Sequence, residues 1–152
     1  MLENIRSVAN VGSIFRTAEC LGIKKLILVG TTPAPIDRFG RKRKDFAKVS
    51  LGAEEMILWE YHQDLSTIQD LKTQGYKIIA LEQNPAAIKL TANSLKLKAF
   101  VLIVGNEVEG VSKAALEYSD VIVEIPMKGE KESLNVSVAT GIALFELLKN
   151  DF

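Results

Sequence analysis

The sequence predicts an α/β fold in which a parallel sheet is flanked by helices, and three observations carry that expectation. Short runs rich in Ile, Val and Leu recur along the chain; each is closed by Gly, Asn, Pro or Thr; and the stretches between them have helical rather than alternating periodicity. Strands covered on both faces read as unbroken apolar runs of this kind, because helices pack on each side of a parallel sheet. With 152 residues, 47% of them hydrophobic and 25% charged, the chain can bury a core without staples, and residues 1–152 read as a single domain.

In chain order, Val8, Val11, Phe15 and Ala18 share one face of a first helix that Gly22 ends. Asn10 is its expected N-cap, since an Asn side chain accepts the open amides of a first turn. A strand at 25–29 follows, and the turn signal Thr32-Pro33-Ala34-Pro35 opens a basic loop over 38–48. A helix at 64–74, ended by Gly75, leads to a strand at 77–81; a strand at 99–104 leads to a short helix at 112–118 capped by Ser112. A strand at 121–125 precedes a last helix at 136–149. Val138, Ile142, Ala143, Phe145 and Leu147 surround that helix's axis, which predicts burial on more than one side.

Composition narrows the function classes. Nineteen Lys and Arg balance nineteen Asp and Glu, so any attraction for nucleic acid is local. The local candidate is Arg38, Arg41, Lys42, Arg43, Lys44 and Lys48, opposed only by Asp37 and Asp45. A solvated charge run and a phosphate-binding loop both fit it. One cysteine and one histidine exclude disulfides and a zinc cluster within the chain, so no metal is expected. Cys20, among Ala18, Leu21 and Ile23, reads as a small buried hydrophobe. His62 reads as a solvated loop residue, and Trp59 and Tyr61 as packing or dimer contacts. No apolar run of about 18 residues is available to span a bilayer and no signal-peptide pattern opens the chain, so the expected location is cytoplasmic and off the membrane.

Parallel sheets bind ligands beyond the carboxyl ends of their strands. Three consecutive strand ends deliver polar loops there: Leu81-Glu82, Gly105-Asn106-Glu107 and Ile125-Pro126-Met127. Gly105 and Gly110 either let backbone approach a ligand or merely allow turns. Neither Gly-x-Gly-x-x-Gly nor Gly-x-x-x-x-Gly-Lys-Ser/Thr occurs, so the standard dinucleotide and triphosphate cradles are unsupported.

Three segments carry a resemblance: Asn4-Ile5-Arg6-Ser7-Val8-Ala9-Asn10-Val11-Gly12-Ser13-Ile14-Phe15-Arg16-Thr17-Ala18; Val104-Gly105-Asn106-Glu107-Val108-Glu109-Gly110-Val111-Ser112; and Ile125-Pro126-Met127-Lys128-Gly129 leading into Ser133-Leu134-Asn135-Val136-Ser137-Val138-Ala139. In order and spacing they resemble the SpoU (TrmH-like) family of RNA ribose 2′-O-methyltransferases, in the SPOUT superfamily. The resemblance implies a deep C-terminal trefoil knot, an exception to the rule that chains avoid knots, a homodimer, and S-adenosylmethionine as cofactor. By position the cofactor contacts fall on Leu81, Gly105, Ile125, Met127 and Leu134. The catalytic and RNA-facing positions fall on Asn10, Arg16, Glu107, Ser133 and Asn135, with Arg16 central. Arg6 and the basic loop, Arg38, Arg41, Lys42, Arg43 and Lys44, are the expected RNA phosphate contacts. The implied substrate is tRNA or rRNA, and the Ser-Leu-Asn-Val-Ser form of the last motif resembles guanosine-directed members. Relatives usually carry a strand before the first motif, where only Met1, Leu2 and Glu3 stand.

A ribose hydroxyl is a weak nucleophile that must lose its proton as the methyl group transfers. Arginine is a poor base and a good phosphate clamp, so Arg16 either assists deprotonation or only orients the nucleotide. Glu107 reads as a base or as a partner that fixes Arg16; Ser133 and Asn135 either orient ribose or cap the last helix. Two alternatives stand beside the enzyme reading: an RNA-binding module of the same fold without activity, and a small-molecule methyltransferase, against which the basic loop speaks.

Overall fold

A computed structural model of the protein describes residues 1–91 and 99–149; the single-domain reading over 1–152 extends beyond them. The strands are β1 (Leu2–Glu3), β2 (Lys25–Val29), β3 (Leu58–His62), β4 (Lys77–Leu81), β5 (Ile88–Lys89), β6 (Phe100–Ile103) and β7 (Val121–Glu124). The helices are α1 (Val8–Cys20), α2 (Lys44–Ser50), α3 (Ala53–Met56), α4 (Thr67–Thr73), α5 (Lys113–Tyr118) and α6 (Val136–Leu148). All strand pairs are parallel, in the orders β1-β2-β3 and β5-β7-β4-β6. The two groups join through β1. Leu2 bridges Val104 just past β6, Glu3 N donates to the Val104 carbonyl at 2.9 Å, and Val104 N donates to that of Met1 at 3.1 Å. The two residues of β1 are thus paired on both sides, with β2 and with Val104, in the place where relatives usually carry a strand.

The apolar runs do what their pattern predicts. Along β2, Leu26 and Leu28 enter one core with Phe15, Phe46 and Ala143, while Ile27 and Val29 enter the opposite one with Ile68, Val101 and Ala115. Along β4, Ile79 enters the first core and Ile78 and Ala80 the second. The sheet is therefore buried on both faces, and Phe15 and Phe46 meet edge to face at 5.1 Å to hold α1 against α2.

Several elements depart from the sequence expectation for identifiable reasons. The N-cap of α1 is Ser7, not Asn10: Ser7 is extended, its hydroxyl accepts the Asn10 amide at 3.2 Å, and Asn10 sits inside the first turn. β3 lacks an unbroken apolar run because it is an edge strand with Leu58 and Tyr61 exposed, and His62 lies on this strand rather than in a loop, with Nε2 3.2 Å from Glu60 Oε1. The stretch from Lys44 onward is helix, anchored by buried Phe46, so only the first part of the basic segment is loop. Cys20 is exposed at the end of α1 rather than buried. α6 buries Thr140, Ala143 and Leu144, but Val138, Ile142 and Phe145 lie 44–55% exposed along the other side, where burial on more than one side was expected. Among the described residues no helix is long and apolar enough to cross a membrane.

Candidate active site

Because every pair is parallel, the loops after β4, β6 and β7 leave the sheet at one edge, and a cavity of about 470 Å³ opens there. Its size is that of a small-molecule site. Leu81, Gly105, Ile125, Met127 and Leu134 all line it, as do Glu107, Ser133 and Asn135. Asn10 and Arg16 do not. Asn10 is nevertheless tied to the rim, whereas Arg16 is exposed on the third turn of α1.

The loop after β6 is shaped by close backbone approach. A Cβ placed on Gly105 would lie 2.2 Å from the Gly110 carbonyl oxygen and 2.3 Å from Val111 N, so only glycine fits between them. Asn106 N and O exchange hydrogen bonds with Gly110 at 3.0 and 2.9 Å, closing a tight turn. The Asn106 side chain accepts the amides of Val108 (2.8 Å) and Glu109 (3.1 Å) and donates to the Asn4 carbonyl at 2.8 Å, which fastens the turn to the end of β1. Glu82, to which the sequence reading gives no role, accepts the Val111 amide at 2.7 Å and that of Gln83 at 2.9 Å, and it lines the cavity. Its place immediately after β4 was the only signal available.

Glu107 braces the start of α1. Its carboxylate accepts Arg6 N at 2.9 Å, Ser7 N at 3.1 Å and Asn10 Nδ2 at 2.8 Å. Asn135 Nδ2 in turn donates to Asn10 Oδ1 at 3.1 Å, while Asn135 Oδ1 accepts the Ser137 amide and hydroxyl at 2.9 and 2.7 Å. The first, second and third motifs thus meet in one line of hydrogen bonds, Glu107 to Asn10 to Asn135. Asn135 is the cap of α6; Ser133 is exposed and does not cap it. Partial burial opposes the Glu107 charge, but the Arg6 amide, the Asn10 side chain and the Ser7 amide outweigh it and hold the carboxyl below its ordinary value. A carboxyl so held is a weaker base than a free one, and its bonds go to Arg6, Ser7 and Asn10 rather than to Arg16.

This has a pH signature. A depressed pKa contributes stability in full above the unfolded value, lost as pH falls through the folded one. Glu107→Gln is expected to lower stability by about 1 kcal/mol, a figure kept small because solvent reaches the carboxylate. In denaturant titrations the difference from the parent stays constant above pH 4.5, the ordinary glutamate value, and closes below it. A break between about pH 6 and 8 would instead mark a raised pKa and return Glu107 to the role of base.

Of the basic positions, Arg6 is exposed beside Glu107 through its own amide. The others follow β2 at the same carboxyl edge as the cavity, and most are internally paired: Arg41 with Asp37 (2.8 Å), Lys42 with Glu55 (2.8 Å) and Arg43 with Asp45 (2.7 Å). Among the described residues Arg38 and Lys44 form no ion pair.

A doubly covered parallel sheet with a glycine-tightened cleft at its carboxyl edge defines an α/β protein built to bind a small ligand, and the comparisons narrow that class. The profile of the SpoU rRNA Methylase family matches residues 1–145, and the chain belongs to that family. It is 32% identical over 151 residues to a 23S rRNA (guanosine-2′-O-)-methyltransferase of Xanthomonas axonopodis, covering 98% of this chain and 57% of that protein. It is 30% identical over 145 residues to the tRNA (guanosine(18)-2′-O)-methyltransferase of Aquifex aeolicus, covering 95% and 65%. Among solved structures, an AdoMet-bound rRNA methyltransferase from Sinorhizobium meliloti superposes with a TM-score of 0.88 at 27% identity, over 99% of this chain and 55% of that one. The chain therefore spans between half and two thirds of these proteins' lengths.

Proposed function

We propose that the chain is an S-adenosylmethionine-dependent RNA methyltransferase that modifies a ribose 2′-hydroxyl, with a guanosine of tRNA or rRNA as the substrate nucleoside. The observation that carries the proposal is the convergence of the three motifs: five positions matched to cofactor contacts and three matched to catalytic ones line a single cavity. The residues present fit the cofactor. Leu81, Ile125, Met127 and Leu134 supply an apolar wall for a flat base, the missing Cβ at Gly105 keeps the turn compact, and Glu82 adds a carboxylate at the polar side. Relatives named for guanosine 2′-O-methylation of both 23S rRNA and tRNA support the substrate class.

When bound, the cofactor supplies an electrophilic methyl group on sulfonium sulfur. The acceptor would be the ribose 2′-oxygen, and its proton would pass to solvent, since a protonated guanidinium and a hydrogen-bonded Glu107 are poor bases. On this reading Asn10 and Asn135, locked to each other and to Glu107, present fixed polar groups at the rim where the ribose enters. Arg16 holds the substrate phosphate and stabilises the developing oxyanion, so that positioning supplies most of the rate. The proposal extends to the trefoil knot, to residues 1–152 as one domain, to a cytoplasmic location, and to a homodimer in which the exposed stripe at Val138 and Ile142 is covered.

Transfer of labelled methyl to total tRNA and, separately, to rRNA, followed by nucleoside digestion, tests this. Labelled 2′-O-methylguanosine from one of the two RNAs is expected. Cofactor and RNA binding without transfer would leave only a binding module, and methylation of a free nucleoside offered in place of RNA would point to a small-molecule enzyme.

A further inference from the structure

The loop between β2 and α2 carries a side chain to which the reading above gives no task. Phe39 is 66% exposed at the tip of a turn closed by the bridge between Ile36 and Lys42. The guanidinium carbons of Arg38 and Arg41 lie 4.7 and 5.1 Å from its ring centroid. Such exposure contributes little to a core, yet the turn that presents the ring is tightly built. One Asp37 oxygen accepts the amides of Phe39 (2.8 Å) and Arg41 (3.0 Å), and the other accepts Arg41 Nε at 2.8 Å. Main-chain bonds from Asp37 N to the Arg41 carbonyl (2.9 Å) and from Gly40 N to that of Asp37 (3.0 Å) complete it.

We propose that Phe39 is a stacking platform for an unpaired base of single-stranded RNA, with Arg38 and Arg41 placed for the phosphates on either side; this rests on the RNA-methyltransferase reading. Base stacking on an aromatic ring beside arginines is the usual means of gripping single strands. The two arginines differ in a way that suits the task. Arg41 is anchored by Asp37, whereas Arg38 has no ion pair among the described residues and is free to leave the ring face when a base takes it. A turn already braced by Asp37 loses little entropy on binding. The surroundings favour nucleic acid over an apolar protein partner, since six cations stand against two carboxylates from Asp37 to Lys48 and lysine is depleted in protein–protein cores. The loop leaves β2 at the same carboxyl edge of the sheet as the cleft, which puts both on the side where a bound strand would lie.

The test is anisotropy binding of a fluorescein-labelled single-stranded RNA of about ten nucleotides and of the matching duplex. Phe39→Leu, a change at an exposed position, is expected to weaken single-strand binding about tenfold, with the salt slope unchanged and duplex binding unaffected. Phe39→Trp should restore the affinity, and Arg38→Gln should reduce the salt slope by about one. If the Leu protein binds the single strand as well as the parent does, the platform is wrong and the RNA reading stands. Equal weakening towards duplex, or an altered association state with unchanged RNA affinity, would likewise overturn it, the latter in favour of a contact between copies. A parent that binds neither RNA overturns both readings together.

Discussion

Gly105→Ala is expected to abolish detectable cofactor binding and to lower the melting temperature by about 10 °C. The added methyl group would stand 2.2–2.3 Å from the Gly110 carbonyl and from Val111 N, and these are backbone atoms with no rotamer to change. Relief requires opening the turn between Asn106 and Gly110, which breaks its two main-chain hydrogen bonds and frees the amides held by Asn106. An insult of this kind costs about 3–4 kcal/mol, and for a chain of 150 residues each kcal/mol shifts the melting temperature by roughly 2–4 °C. Gly110→Ala is the internal comparison. There the new atom meets the end of the Glu82 side chain, which can move, and the remaining cost is a left-handed φ of 72° on a residue with a Cβ, about 1–2 kcal/mol. That variant should melt closer to the parent yet still bind cofactor weakly, because Glu82 is pushed off the Val111 amide. Calorimetric titration and thermal unfolding of both proteins decide the matter. Gly105→Ala binding within about threefold of the parent would mean that the turn is not the part of the cleft that grips the ligand.

What could be read from the sequence was whatever depends on local pattern. The apolar runs of β2 and β4 and the Ser112 cap of α5 appear where periodicity and capping chemistry place them. The Asn10 cap failed because two residues near one helix start could both accept an amide, and the choice fell to Ser7 while Asn10 was drawn to Glu107 and Asn135, distant in sequence. β3 failed because an edge strand need not be apolar. The cleft itself could be located by the rule of carboxyl ends, but the line from Glu107 through Asn10 to Asn135 joins segments about a hundred residues apart, and no local signal encodes it. In α6 the pattern reported apolarity on several sides and was silent on what covers each, so a stripe open in the single chain looked the same as a buried face.

Arg16→Ala should cut kcat for methyl transfer about 100-fold or more and leave cofactor affinity within about twofold, as expected for a group that acts on the developing oxyanion and the phosphate rather than on cofactor. Lysine should restore little, since it cannot present the planar fork. The placement of Arg16 adds a sharper expectation. It does not line the cleft of its own chain, and it stands one residue from the crossing of α1 and α6, where a Cβ on Gly141 would lie 3.4 Å from the Thr17 methyl. The exposed stripe of α6 begins beside that crossing, with Val138 and Ile142 on either side of Gly141. A dimer that covers the stripe would carry Arg16 of one copy towards the partner's cleft. Mixing Arg16→Ala with Leu134→Arg, a change that blocks the cavity at a partly exposed position, then separates the two arrangements. If the arginine serves the partner, a mixed dimer contains one intact site, and random exchange restores roughly a quarter of parental activity. If it serves its own cleft, every site carries a defect and the mixture is as inactive as its components, which would confine Arg16 to the chain that bears it.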